Sequence, residues 1–131
     1  MKILVGYDGS NAAKDALKLA QKHAKAFGAK IEVVKSVTRH HPLDQGLIQA
    51  AEEKLEQEIR NQIIGDIPSY ETRFLVSSQS AGENLIWIAE LLKIDEIIIG
   101  VRRRSKVGKL LMGSTVQHVI LNASCPVVSI K

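Results

Sequence analysis

The sequence is poor in the residues that anchor unusual folds. It has one cysteine, three prolines, one tryptophan, two tyrosines and two phenylalanines. A single thiol forms no internal disulfide, so stability has to come from a buried core. That thiol, Cys125, stands between Ser124 and Pro126 with no thiolate-stabilising neighbour, and reads as a small buried or half-buried side chain with no redox role. So few aromatics exclude a stacking platform for single-stranded nucleic acid. Charge of one sign is also scarce: the formal net charge is only +4. No apolar run approaches the roughly 20 residues needed to cross a bilayer. The apolar run after Met1 and Lys2 is too brief for a secretion signal. These absences predict a soluble, cytoplasmic protein with no membrane partner. Its 131 residues suit one domain, 1–131, without internal repeats.

What is present is an alternation of short apolar runs with amphipathic segments. "KILVGYD" (Lys2–Asp8) reads as a buried strand. Ser10 then caps a helix whose Ala13, Ala16, Leu17, Ala20, Ala24 and Phe27 recur at helical spacing, and Gly28 closes it. "KIEVVKSVT" (Lys30–Thr38) is a second strand. A helix follows from about Leu47 to Ile64, then the strand "YETRFLVSS" and the helix "AGENLIWIAELLK". In that third helix Trp87 joins Leu85, Ile88, Leu91 and Leu92 as expected core. "IDEIIIG" gives a fourth strand, "GSTVQHVILNA" a fourth helix and "CPVVSIK" a fifth strand. Continuous apolar strands alternating with helices predict a doubly wound, Rossmann-like α/β sandwich with five parallel strands.

Such sheets bind ligands beyond the carboxyl ends of their strands, where strand order reverses. The first strand ends at Asp8, Gly9 and Ser10, and the fourth ends at Gly100. If the two are neighbours, one crevice receives both ends. After Gly100 the chain carries Arg102, Arg103, Arg104, Lys106 and Lys109 with no acidic residue among them, then opens a helix at Gly113 and Ser114. A helix start offers free amides and the positive end of a dipole. Gly113 admits a phosphate to the backbone, while Ser114 and Thr115 add hydroxyl donors. Asp8 at the same crevice would repel a bare phosphate, and Mg²⁺ between them removes the conflict. The carboxylate equally suits a ribose hydroxyl, an adenine amino group or a plain turn.

Three stretches resemble the universal stress protein family over almost the whole chain: "ILVGYDGSNAAKDALKLA", "IDEIIIGVRRRSKVGKLLMGSTVQHVI" and "ASCPVVSIK". The resemblance implies a sheet of the adenine nucleotide alpha hydrolase-like type. It also implies a site for ATP or another adenine nucleotide with Mg²⁺, and a homodimer through the C-terminal strand 126–131. ATP-binding members carry G-x2-G-x9-G-[S/T]. Gly100 fills the first position, Gly113 the third and Ser114 the hydroxyl, whereas Arg103 stands where the second glycine would be. An arginine there either reaches a phosphate or blocks the site. The resemblance adds contacts at Gly6, Asp8, Ile99 and Thr115, and adenine packing near Ser36 and Val37. The implied function is a regulatory, stress-response module that binds nucleotide and turns it over slowly if at all. The alternative is a dimeric relative that has lost nucleotide binding and acts through protein partners.

Other features have plainer readings. The Arg102–Arg104 run lacks the interleaved aromatics of a nucleic-acid site, which leaves phosphate contact or a solvated loop. His40 and His41 lack further metal ligands at suitable spacing. His118 lies one turn after Ser114, but no nucleophile elbow accompanies it, so a partly buried structural histidine is expected. His23, late in the first helix, favours the negative end of its dipole.

Overall fold

The computed structural model describes residues 1–42, 44–101 and 113–131. The elements run β1 (Lys2–Gly6), α1 (Asn11–Phe27), β2 (Lys30–Thr38), α2 (Gln45–Gln62), β3 (Ser69–Ser77), α3 (Ala81–Leu91), β4 (Glu96–Gly100), α4 (Ser114–Asn122) and β5 (Val127–Ile130). The strands form one parallel sheet in the order β3-β2-β1-β4-β5. β1 is central because it can bury both faces: Ile3, Leu4 and Val5 are fully enclosed. Its odd-numbered side chains join Ile31, Val33 and Ile98 beneath the alanine-rich stripe of α1 and Leu55 and Ile59 of α2. Leu4 and Val34 face the other way, with Ile97 and Ile99, onto Leu85 and Ile88 of α3 and Val116 and Val119 of α4. Helices therefore cover both faces of the sheet, as the alternation predicts.

Helix ends follow their capping residues. Ser10 accepts from the Ala13 amide, and Gly28 closes α1 at φ 65°. Asp44 caps α2 through the Gly46 amide, which starts that helix two residues before the expected Leu47. Ser80 caps α3 through the Glu83 amide.

Two expectations of burial fail. Phe27 is 60% exposed, because the stripe of α1 that meets the sheet ends at Ala24; its ring instead stands edge-on to His23, with centroids 5.8 Å apart. Trp87 is 53% exposed and Leu91 59%. Trp87 lies about 200° around the helix from Leu85, so a helix that buries Leu85 and Ile88 turns Trp87 outward. His23 does sit in the late part of α1, but its specific partner is Glu96 on β4, with Nδ1 2.6 Å from Oε1.

The sheet has two edges of different character. β3 pairs with β2 over nine residues, and an ion network lies across the pair. Glu32, 1% exposed, meets Lys30 Nζ at 3.1 Å and Arg73 Nε at 3.2 Å. Glu71 meets the same two cations at 3.0 Å each. At the opposite edge, β5 is four residues long and its side chains are Val127, Val128, Ser129 and Ile130.

Candidate functional site

Strand order reverses between β1 and β4, which pair directly. Their carboxyl ends open into a cavity of about 650 Å³. Its lining brings together Gly6, Asp8, Ser36, Ile99, Gly100, Gly113, Ser114 and Thr115. Val37 is not part of that lining; β2 alternates, and Val34 and Ser36 take the cavity side. Arg103, like Lys106 and Lys109, lies outside the described residues.

Each wall has a local cause. The β1 strand is held at its exit by Tyr7, whose hydroxyl donates to Glu58 Oε1 at 2.7 Å and accepts from Gln62 Nε2 at 2.7 Å. Burial, followed by the Glu58 contact, pushes the Tyr7 phenol up to about 12. The chain then turns through Gly9 at φ 82°, and Asp8 Oδ1 accepts from the Ser10 amide at 3.0 Å. Asp8 thus acts as a turn former while its carboxylate also borders the cavity.

Gly100 is shaped by packing. A Cβ there would collide with the Ala12 backbone, so the absent side chain lets the first turn of α1 cross the end of β4. Gly113 is different, since among the described residues nothing lies within 4 Å of a Cβ added to it. Among the described residues it starts α4 with no side-chain cap, whereas Ser10, Asp44 and Ser80 cap the other three described helices. The amides of the first turn of α4 carry the positive end of the helix dipole into the cavity. A carboxylate on one wall and an uncapped helix start on another can bracket an anion, with a hard cation between. Among the described residues, no group of three or more His, Cys, Asp or Glu is placed to hold a metal by itself. His40 and His41 are exposed.

One contact behind the wall, made to the lining residue Ser36, has no counterpart in the sequence expectations. Asn84, 4% exposed on α3, donates from Nδ2 to Ser36 Oγ at 2.7 Å and accepts at Oδ1 from Ser77 Oγ at 3.0 Å. The available signal was a lone amide on the otherwise apolar buried face formed by Gly82, Leu85 and Ile88. His118 is half-buried, and its side chain lies against Gly82, where an added Cβ would come within 2.9 Å of the His118 Cβ. Close packing of α3 on α4 gives that histidine a structural place.

The geometry agrees with three comparisons. The profile of the universal stress protein family matches residues 1–131. A universal stress protein of Thermus aquaticus is 32% identical over 138 residues, which cover 98% of this chain and 97% of the relative. A universal stress protein structure from Archaeoglobus fulgidus superposes with a TM-score of 0.78 at 31% identity, covering 100% of this chain and 98% of the other. A second structure from Archaeoglobus fulgidus, a universal stress protein in complex with dAMP, superposes with a TM-score of 0.75 at 27% identity and covers the same shares. Among the described residues, no helix is long and apolar enough to cross a membrane. With its five parallel strands, its two-sided helical cover and a full-length family match, the chain belongs to the universal stress protein family.

Proposed function

We propose that the protein binds ATP or another adenine nucleotide with Mg²⁺ and serves as a cytoplasmic, stress-response regulatory module. The observation that carries this reading is that one cavity receives both Asp8 and the start of α4, which no described side chain caps. The dAMP complex of a relative 27% identical supports it. In this reading the amides and hydroxyls of Gly113, Ser114 and Thr115 take the phosphates. Asp8 contributes an oxygen ligand toward the nucleotide's Mg²⁺ or accepts from the ribose. Gly6, Ile99 and Gly100 keep the floor between them low, and the end of β2 borders the base through Ser36. Residues 1–131 act as one unit, and two copies pair through strand 126–131, whose apolar edge suits strand addition.

Calorimetric titration with ATP and Mg²⁺ tests the reading. Binding is expected, with Asp8→Ala weakening it chiefly when Mg²⁺ is present. Absence of heat up to millimolar ATP overturns it.

A second reading has its own observation. Arg103 replaces the second motif glycine, and Gly100, the first, is already used for packing on Ala12. On this reading the protein has lost nucleotide affinity and works through protein partners. Arg103→Gly separates the two: a gain of ATP affinity favours loss in the natural chain, and a fall favours an arginine–phosphate contact.

A further inference from the structure

The buried amide of Asn84 belongs to a directional chain of hydrogen bonds, and its direction has a consequence for the cavity. The chain begins at a backbone group that can only donate: the Gln79 amide gives its proton to Ser77 Oγ at 3.1 Å. The carbonyl of Gln79 is held in turn by Thr38 Oγ1 at 2.8 Å, so the turn before α3 is tied to the end of β2. Ser77 passes its own proton to Asn84 Oδ1. That contact turns Nδ2 toward Ser36, where it donates to Oγ. Reversing the amide would move the unmet proton from Ser36, which borders the cavity, to Ser77, which does not, so the orientation in the structure is the one that leaves that proton where solvent or a ligand can meet it. The capping box of α3 fixes the position of Asn84. Ser80 accepts from the Glu83 amide at 3.2 Å and donates to Glu83 Oε1 at 2.9 Å.

Ser36 is the last member of the chain and borders the cavity. Its oxygen already accepts from Asn84, and among the described residues no acceptor takes its proton. A hydroxyl has one proton and two lone pairs. Among the described residues, the protein spends a lone pair from behind and leaves the proton at the cavity.

We propose that Ser36 is a base-reading donor and that Asn84 is the positioning residue that sets its polarity, so the cavity selects a heteroaromatic base with an unprotonated ring nitrogen at that wall. This assignment rests on the nucleotide reading above and adds to it a source of base discrimination. A donor held by buried partners favours a ligand acceptor and disfavours a base that presents a proton or a carbon at the same place.

The test compares ATP with its 1-deaza, 3-deaza and 7-deaza analogues, each of which replaces one ring-nitrogen acceptor by C–H. One of the three is expected to bind the wild-type protein about tenfold more weakly than ATP, the scale of one hydrogen bond in a partly desolvated site. Ser36→Ala should bind ATP about as weakly as the wild type binds that analogue, and should no longer distinguish the two. Asn84→Asp should also lose the distinction although Ser36 is retained. Its carboxylate accepts from both hydroxyls and draws the Ser36 proton away from the cavity. Comparing two ligands within one variant cancels the effect of the added charge. If Asn84→Asp fails to fold, Ser36→Ala decides alone. A variant that loses affinity for ATP and analogue alike, with their ratio unchanged, assigns Ser36 and Asn84 a purely structural role and overturns the proposal. So does a wild-type protein that binds ATP and all three analogues equally, in which case nucleotide binding itself stands. A wild-type protein that binds no ATP removes the nucleotide reading and this assignment together.

Discussion

Gly100 and Ala12 touch backbone to backbone at the mouth of the cavity: a Cβ built on Gly100 would lie 2.8 Å from the Ala12 Cβ and closer still to its carbonyl. The contact sets how near α1 sits to β4, and so the width of the crevice between Asp8 and the start of α4. Gly100→Ala is therefore expected to push the first turn of α1 outward at a cost of about 1–3 kcal/mol. Urea unfolding checks this; a variant as stable as the parent would show that the two elements separate freely.

The fluorescence of the single tryptophan is expected to report its exposure. Trp87 faces out of α3, so its emission should resemble that of a solvated indole and acrylamide should quench it readily. Trp87→Ala should change stability by less than about 1 kcal/mol, whereas Leu85→Ala, at the buried side of the same helix, should cost about 2–5 kcal/mol. Equal effects would mean that α3 packs by its other face.

Tyr7 predicts a loss of stability in alkali. Its phenol is pushed from 10.0 up to about 12 in the folded protein, first by burial and then by the Glu58 carboxylate. The folded state holds that proton more tightly than the unfolded chain does. The contribution is thus fully present below pH 10 and drains away as pH rises toward 12, by about 3 kcal/mol in all. Tyr7→Phe should be less stable at neutral pH, having lost two hydrogen bonds, and should show a shallower decline between pH 10 and 12. Denaturation midpoints across that range provide the measurement.

Cys125 is expected to be a slow nucleophile. Burial pushes its thiol up, and the nearby Asp95 and Glu96 carboxylates push it in the same direction. Alkylation by iodoacetamide at pH 8 should run well below the rate of a free cysteine and should rise with pH. Rapid labelling at neutral pH would contradict this picture of the Ser124–Pro126 turn.

The parts that were legible in the sequence share a local cause. Lys30–Thr38 declares a strand through its own β-branched run, and Ser10 and Gly28 mark a helix through chemistry at its two ends. The crevice was legible too, because a turn after β1 and a Gly-Ser helix start each have a recognisable form once β1 and β4 are neighbours. What escaped depends on contacts distant in sequence. Asn84 meets Ser36 across 48 positions, Tyr7 meets Glu58 across 51, and His23 meets Glu96 across 73. No periodicity in a single segment encodes such partners. Phe27 and Trp87 were misplaced for a related reason: apolar spacing identifies a helix, but how far its stripe extends depends on where the sheet beneath it stops.

The two margins of the sheet differ in a way that limits growth. At one, nine residues of β3 are dressed with Glu71 and Arg73, charges that discourage a further strand from docking. At the other, β5 offers a short aliphatic ribbon. If two copies join by that ribbon, as proposed, each would use up the attachment point that a third would need. On the proposed pairing, strand addition would stop at two copies, and a sheet with one uncharged margin would escape the fibre-forming hazard of a sheet with two.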